Sequence, residues 1–324
     1  MNSTLKWGII GPGKIAQKFA EALNNVEDAA LYAVASRSID SAIAFAGKYN
    51  AVRAYGTYEE LVLDPEVDLV YVATPHVFHK EHTLLCLNHK KPVLCEKPLA
   101  HCLHDVQAMV TASKTNQTFL MEAMWTRFLP PTNKALELIR SGAIGMVTNV
   151  KADFGFFSHF DEKSRLYDLA LGGGSLLDIG VYPLFLVLTV LGEPSGYEVE
   201  AKLAATGADE DFKATLYYPQ AEAQIHSSMI ADTAKTAEIR GTEGTIYFVS
   251  PWYRETSLVL KKKDGSSETF TFPATGNGFE PEIKEAMNCV RNGKIESDIM
   301  SHEFSLLQSK ILDLLCKEAG VIYR

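Results

Sequence analysis

The chain has 324 residues, 47% hydrophobic and 22% charged, with a formal net charge of −9. That length holds two ordinary domains with a core in each, and the acidic balance argues against nucleic acid or an anionic membrane as the main partner. Its five cysteines (Cys86, Cys95, Cys102, Cys289, Cys316) contain no CxxC pair, a pattern of reduced thiols rather than of a disulfide framework or a structural zinc site.

The first residues run almost directly into "LKWGIIG", with no basic region or cleavage site ahead of it, so no signal peptide is expected. "KWGIIG" has the composition of a compact buried strand, and "KIAQKFAEALNNV" has helical periodicity. "ALYAVASR" follows as a strand, "IDSAIAFAGKYN" as a helix and "LVYVATP" as a second buried strand. "HKEHTLLCLNHK" is then a helix, "PVLCE" a strand and "HDVQAMVTASKTN" a helix. Repeated βα units with unbroken apolar strands predict a doubly wound parallel sheet of α/β class, covered on both faces. From about residue 123 the rhythm changes. After the helix "NKALELIRS" come alternating segments: "NVKADFGFF", "KATLYYP", "AEAQIHSSMI" and "TIYFV". "SLVLKKKDGSSETFTF" predicts a hairpin turning at Asp264-Gly265. Strand following strand implies an antiparallel sheet, and two helices near 281–292 and 301–318 close the chain. The expected domains are therefore 1–122, α/β, and 123–324, α+β. The longest pure apolar run, "LFLVLTVL", is too short to span a bilayer, and the cytoplasm is the expected location.

"GIIGPGKIAQKFAEAL" contains Gly11-x-Gly13-x-x-Ala16 after a buried strand and before an amphipathic helix. That is the context in which the dinucleotide fingerprint carries meaning. Gly11 permits the tight turn, Gly13 the approach of backbone to pyrophosphate, and Ala16 close helix–strand packing. Gly11, Pro12, Gly13, Lys14 and Ile15 are the expected phosphate loop. The second strand ends at Ser36 and Arg37, where an NAD site usually places Asp or Glu. A guanidinium there pairs with a 2′-phosphate, which makes NADP the expected cofactor, with NAD as the alternative. The bland reading is a solvated loop arginine.

"VLCEKPLA" raises a sharper question, because Glu96, Lys97 and Pro98 end a strand whose other residues are apolar. Ligands in doubly wound sheets bind outside the carboxyl ends of the strands. A lysine there reaches both a substrate hydroxyl and the nicotinamide and serves as acid or base. An ordinary Glu–Lys pair capping the next helix fits these residues equally well.

With "ATPHVFH" upstream and "GGGSLLDIGVYPL" downstream, "EKP" after a Rossmann unit resembles the Gfo/Idh/MocA oxidoreductases. Within that family, "FLMEAMWTRF" and "GGGSLLDIGVY" are similar to the dimeric trans-1,2-dihydrobenzene-1,2-diol dehydrogenase and NADP-dependent D-xylose dehydrogenase branch. The resemblance runs over nearly the whole chain. It implies a Rossmann domain, a C-terminal α+β domain with a large open antiparallel sheet, and a homodimer formed through that sheet. It also implies that Lys97 is catalytic and that a sugar, polyol or dihydrodiol is the substrate. The family commonly has Asp and then His four residues on; here the positions are Asp178 and Tyr182, as in the dihydrodiol branch. On a helix those two share a face, although Pro183 starts or kinks that helix. A capping Asp and a buried Tyr fit the same residues.

His76, His79 and His82 look like a metal cluster, but they spread around a helix start, and no metal is expected. Thr74, Pro75, His76 and His79 are expected to border the nicotinamide instead, with Glu96, Lys97, Trp125 and Arg127. His101, Cys102 and His104 are expected on a helix surface, and "KKKDG" at a solvated hairpin tip. Trp125, Phe154 and Phe279 are expected, with Asp178 and Tyr182, to wall the substrate site, though aromatics of a sheet domain are as often core. The expected function is NADP(H)-dependent hydride transfer at a sugar or vicinal-diol carbon. A non-catalytic dinucleotide sensor and a nucleotide-dependent glycosidase are the rivals.

Overall fold

The structure, a computed structural model, describes residues 3–254, 256–274 and 276–323. The chain forms two compact units, Met1–Trp125 with Thr275–Ser309, and Thr126–Ala274 with Lys310–Arg324. Residues 275–309, drawn into the second domain from the pattern, pack with the first.

In the first unit, β1 (Leu5–Ile10), α1 (Lys14–Leu23), β2 (Ala29–Ala35), α2 (Ile39–Tyr49) and β3 (Arg53–Tyr55) are followed by α3 (Tyr58–Leu63) and β4 (Leu69–Val72). Then come α4 (His79–Asn88), β5 (Val93–Glu96), α5 (Leu103–Asn116) and β6 (Leu120–Ala123). The strands lie in the order β3-β2-β1-β4-β5-β6, and every pair is parallel. Every residue of β4, β5 and β6 is buried, as helices on both faces require. The expected doubly wound sheet is therefore present. The short β3, α3 and the edge strand β6 were not anticipated. The late segment packs here because its groups find partners here: Leu120 N–H of β6 donates to Ile295 O at 3.0 Å.

In the second unit, α6 (Pro130–Arg140) precedes β7 (Val147–Gly155), α7 (Val181–Leu191), β8 (Gly196–Leu203), β9 (Asp209–Tyr217) and β10 (Glu222–Ser228). β11 (Ala237–Gly241), β12 (Gly244–Phe248), β13 (Leu258–Lys262) and β14 (Ser267–Phe270) complete one sheet. Its order is β14-β13-β12-β11-β7-β10-β9-β8, and the expected hairpin is β13–β14. One pair departs from the expected antiparallel pattern: β7 and β10 run parallel. More than sixty residues, α7 among them, separate the two strands in sequence, ample for the crossover a parallel pair needs. Alternation along the strands buries Val150, Phe212, Leu216, Ile225, Ile239 and Ile246 on one side. Lys151, Lys213, Gln224 and Arg240 point the other way, to solvent.

Two helices follow, α8 (Glu280–Arg291) and α9 (His302–Glu318). The helical turns over Leu169–Leu191 reach a mean hydropathy of 1.9 and are long enough to cross a bilayer, unlike the eight-residue run noted in the sequence. They are 83% buried inside the protein, so core packing accounts for their apolarity.

Candidate active site

The fingerprint residues form a cradle at the end of β1. Gly11 has φ +87°, and a Cβ there would meet Thr74 Cγ2 at 2.8 Å and Ala73 O at 3.0 Å, so only glycine fits. A Cβ on Gly13 would meet nothing within 4 Å. Gly13 is the N-cap of α1, no side chain caps it, and the first turn holds no acidic residue. Free N–H groups and the positive helix end therefore face open space, as an anionic pyrophosphate requires. Lys14 is exposed and Ile15 half-buried beside Pro12.

Arg37 lies two residues past the end of β2, exposed, with its guanidinium 5.8 Å from the centre of the Phe78 ring. No acidic side chain pairs with it among the described residues. The Ser36 hydroxyl accepts from Ser38 N–H at 3.3 Å, holding the turn into α2.

The tips of β4 and β5 are locked together by histidines. His79 is fully buried, with Nδ1 2.9 Å from Pro98 O and Nε2 2.8 Å from Thr74 O. Burial pushes its pKa down to about 4 against the pull of both carbonyls. The ring is therefore neutral and donates to one of them. His82 Nδ1 lies 3.0 Å from Thr74 Oγ1; burial, and secondly Arg37, push its pKa to about 4 as well. The His76 ring packs edge-on to His79. Both ring nitrogens of His79 lie within hydrogen-bond distance of main-chain carbonyls, and the one that carries the proton ties its strand tip.

Lys97 is 9% exposed, and its bond to Pro98 is cis. The Lys97 N–H donates to Glu96 Oε2 at 3.2 Å, while Glu96 Oε1 takes a short hydrogen bond from Tyr71 OH. Tyr71 stacks on Phe19 at 3.7 Å. Glu282 of α8 is wholly buried, and neither of its oxygens has a hydrogen-bond partner in the structure. Burial, and then the nearby Glu96, hold its carboxyl well above the usual range. Trp125 stacks on Phe279 at 5.3 Å and 16°.

In the second unit Asp178 lies in a π-helical turn, Leu176–Gly180, that leads straight into α7. Such turns recur at functional sites. Asp178 accepts from Arg165 at 3.1 and 3.5 Å and is 8% exposed. Tyr182 is the second residue of α7, and Pro183 the third. The Tyr182 ring lies 5.6 Å from Phe154 and 5.9 Å from Tyr253, and Phe154 stacks on Tyr253 at 3.8 Å. Arg127 donates to Asn133 Oδ1 at 3.0 Å.

The fingerprint, Arg37, Thr74–His79, Glu96, Lys97, Trp125 and Phe279 lie in the first unit, and Arg127, Phe154, Asp178 and Tyr182 in the second. The three histidines of "HVFHKEH" do not converge as ligands. His101, Cys102 and Asp105 do bring ligand atoms within 4.8 Å of one another, but Lys80 already pairs with Asp105 at 2.7 Å.

The model of the oxidoreductase family with an NAD-binding Rossmann fold, GFO/IDH/MocA, matches residues 5–124, and that of the GFO/IDH/MocA C-terminal domain matches 132–247. The chain belongs to this family. It is 39% identical to the trans-1,2-dihydrobenzene-1,2-diol dehydrogenase of Danio rerio and 33% to that of Homo sapiens, over 98% of each chain. An aldose-aldose oxidoreductase from Caulobacter crescentus solved with glycerol superposes with TM-score 0.88 at 25% identity, over 98% of this chain and 97% of that one. A 3-ketoreductase from Actinomadura kijaniata solved with NADP and TDP-benzene gives 0.86 at 25% identity, over the whole of both chains.

Three residues of this GFO/IDH/MocA oxidoreductase escaped the sequence reading. Tyr253 and Arg165 lie in irregular segments, where no periodicity marks a side chain. Asp209 is the third: its Oδ2 accepts from Ser175 Oγ and Leu176 N–H, both at 2.7 Å, and so caps the turn that carries Asp178. A Cβ on Gly174 would come within 2.3 Å of Asp209 Oδ1. The repeated glycines of "GGGS" were the one available signal.

Proposed function

We propose that this oxidoreductase moves hydride between NADP(H) and a hydroxyl-bearing carbon of a sugar or vicinal diol. The observation that carries this reading is the match to dihydrodiol dehydrogenases over 98% of both chains. Held at Gly11–Ile15 with Arg37 at its 2′-phosphate, the dinucleotide would supply the hydride acceptor for alcohol oxidation and the hydride donor for the reverse. Lys97 and Tyr182 handle the hydroxyl proton: Tyr182, as the phenolate that the Lys97 ammonium favours, takes it and becomes phenol while the alcohol C–O becomes a carbonyl. Asp178, oriented by Arg165, accepts a hydrogen bond from a neighbouring substrate hydroxyl. The aromatic faces of Trp125 and Phe279, and of Phe154 with Tyr253, suit the apolar side of a sugar or an aromatic diol ring. Arg37 favours the 2′-phosphate of NADP. All five cysteines are free thiols, which suits a reducing cytoplasm.

A panel of pentoses, hexoses and dihydrodiols with NADP⁺, followed by absorbance of the reduced nicotinamide, tests the reading. Reduction with at least one of them is expected. Tight dinucleotide binding with no turnover on any would make the chain a sensor.

We also propose a homodimer through the solvent-facing side of the eight-stranded sheet. This face is polar and tolerates water, so the case rests on complementarity: Lys151, Lys213 and Arg240 stand among Asp153, Glu198, Glu200 and Glu238 on neighbouring strands. A mosaic of both signs matches itself across a two-fold axis. Sedimentation velocity at micromolar concentration should show a dimer that salt weakens. A monomer at low salt would remove the idea.

A further inference from the structure

The strand-tip turn that carries Lys97 is held from behind by a buried carboxylate for which the reaction outlined above has no use. Glu122 sits on β6, beside β5 in register with Cys95, and is 2% exposed. Its Oε1 accepts from Leu99 N–H at 3.1 Å and from the Gln308 amide at 3.0 Å, and its Oε2 accepts from Ser305 Oγ at 2.7 Å. Leu99 is two residues past Lys97, and Ser305 and Gln308 lie one turn apart on α9. All three of these groups donate, the bonds that the ionised form of Glu122 accepts.

The arrangement is expensive to keep. Burial pushes the Glu122 pKa up to about 7 despite these donors and the attraction of Lys97. Between the unfolded value near 4.5 and about 7, the folded state holds a proton that the unfolded chain has released. Stability contributed by this group therefore falls as pH rises through that window. The titratable groups facing it are Lys97 and Cys95 from the β5 side; on α9, His302 Nε2 lies 3.0 Å from Leu120 O of the same strand. Gln308 adds a second cost: its Oε1 is buried with no hydrogen-bond partner in the structure, so the side chain pairs through its amide nitrogen alone. Polar groups retained in a core at such cost mark function rather than stability.

We propose that Glu122 is a positioning residue for Lys97, clamping Leu99 so that the turn projects the lysine in one orientation, with Gln308 and Ser305 aiming the carboxylate. This rests on the reading of Lys97 as the group that handles the proton. Held in place, the ammonium loses no rotamer freedom on the way to the transition state.

The test uses the full-length enzyme and its best substrate from the panel. Glu122→Met removes the acceptor for Leu99 and should lower kcat by about tenfold or more. KM and the NADP⁺ dissociation constant should stay within about twofold, the pattern of an interaction realised at the transition state. Glu122→Gln keeps an oxygen for Leu99 N–H and should recover most of kcat. Gln308→Met deletes the half-paired amide; it should melt no lower than wild type at pH 8 and still lose kcat several-fold, which decides the matter if Glu122→Met does not fold. On a Lys97→Met background, Glu122→Met should cost almost nothing further. Wild-type kcat in Gln308→Met or in folded Glu122→Met would overturn the proposal, as would undiminished loss on the Lys97→Met background. Failure of the Lys97 reading shows separately, as full activity of Lys97→Met alone.

Discussion

Replacing Lys97 by Met should lower turnover by about 10²–10⁴, the range general acid–base groups supply, while NADP(H) binding and the melting temperature hold. The structure explains why folding should survive. The turn is fixed by bonds that do not involve the lysine ammonium: Lys97 N–H on Glu96, His79 on Pro98 O, and Glu122 on Leu99 N–H. Methionine retains the apolar stem, so packing is nearly conserved. Tyr182→Phe should give a loss of similar size, since the ring keeps its contacts with Phe154 and Tyr253 and only the hydroxyl goes. If the two act as one proton-handling unit, the double variant should be little worse than either single. Steady-state kinetics with purified variants, alongside thermal unfolding, checks this. A normally melting Lys97→Met enzyme within tenfold of wild type would leave the lysine a bystander.

Arg37→Asp should weaken NADP⁺ binding by roughly thirtyfold or more, through loss of a charge-assisted pair and gain of repulsion against the 2′-phosphate. NAD⁺ affinity should hold or improve, because Asp then stands where ribose hydroxyls are usually held. The guanidinium is exposed and set over the Phe78 ring, so its removal disturbs no core and the change is confined to the cofactor. Added salt should narrow the wild-type preference, since an exposed ion pair is screened. Equilibrium titration of both dinucleotides against nicotinamide or protein fluorescence decides it. Wild-type protein that binds NAD⁺ as tightly as NADP⁺ would end this assignment.

The features readable before folding share a physical origin: each depends on neighbours in sequence. Gly11, Gly13 and Ala16 are set by one strand–helix turn, and the apolar runs of β1, β4 and β5 by burial on both faces. The turn at Asp264-Gly265 follows from local φ, which is +85° at Gly265. α3 was missed although Thr57 and Glu60 form a capping box around its start, because six residues carry too little periodicity to show. β8 was missed because it is an edge strand whose residues are half-buried or exposed, which leaves it little alternation to read.

What contacts distant in sequence decide could not be read this way. "EKP" shows an acid beside a base; the fold adds what the spacing cannot, a hydrogen bond from Tyr71, twenty-five residues away, to Glu96. "HVFHKEH" offers three ligand-like rings, and tertiary burial turns two of them into neutral clamps on Thr74 and Pro98. Asp178 gains Arg165 from thirteen residues away, and Glu122 gains Ser305 and Gln308 from across 183 and 186 residues. A side chain's charge state and aim are set by the groups that surround it after burial, and a linear pattern holds no record of those groups. The residue types needed for dinucleotide binding and proton transfer were therefore present in the chain as written, while their partners, their protonation and the brace behind Lys97 came only with the packed structure.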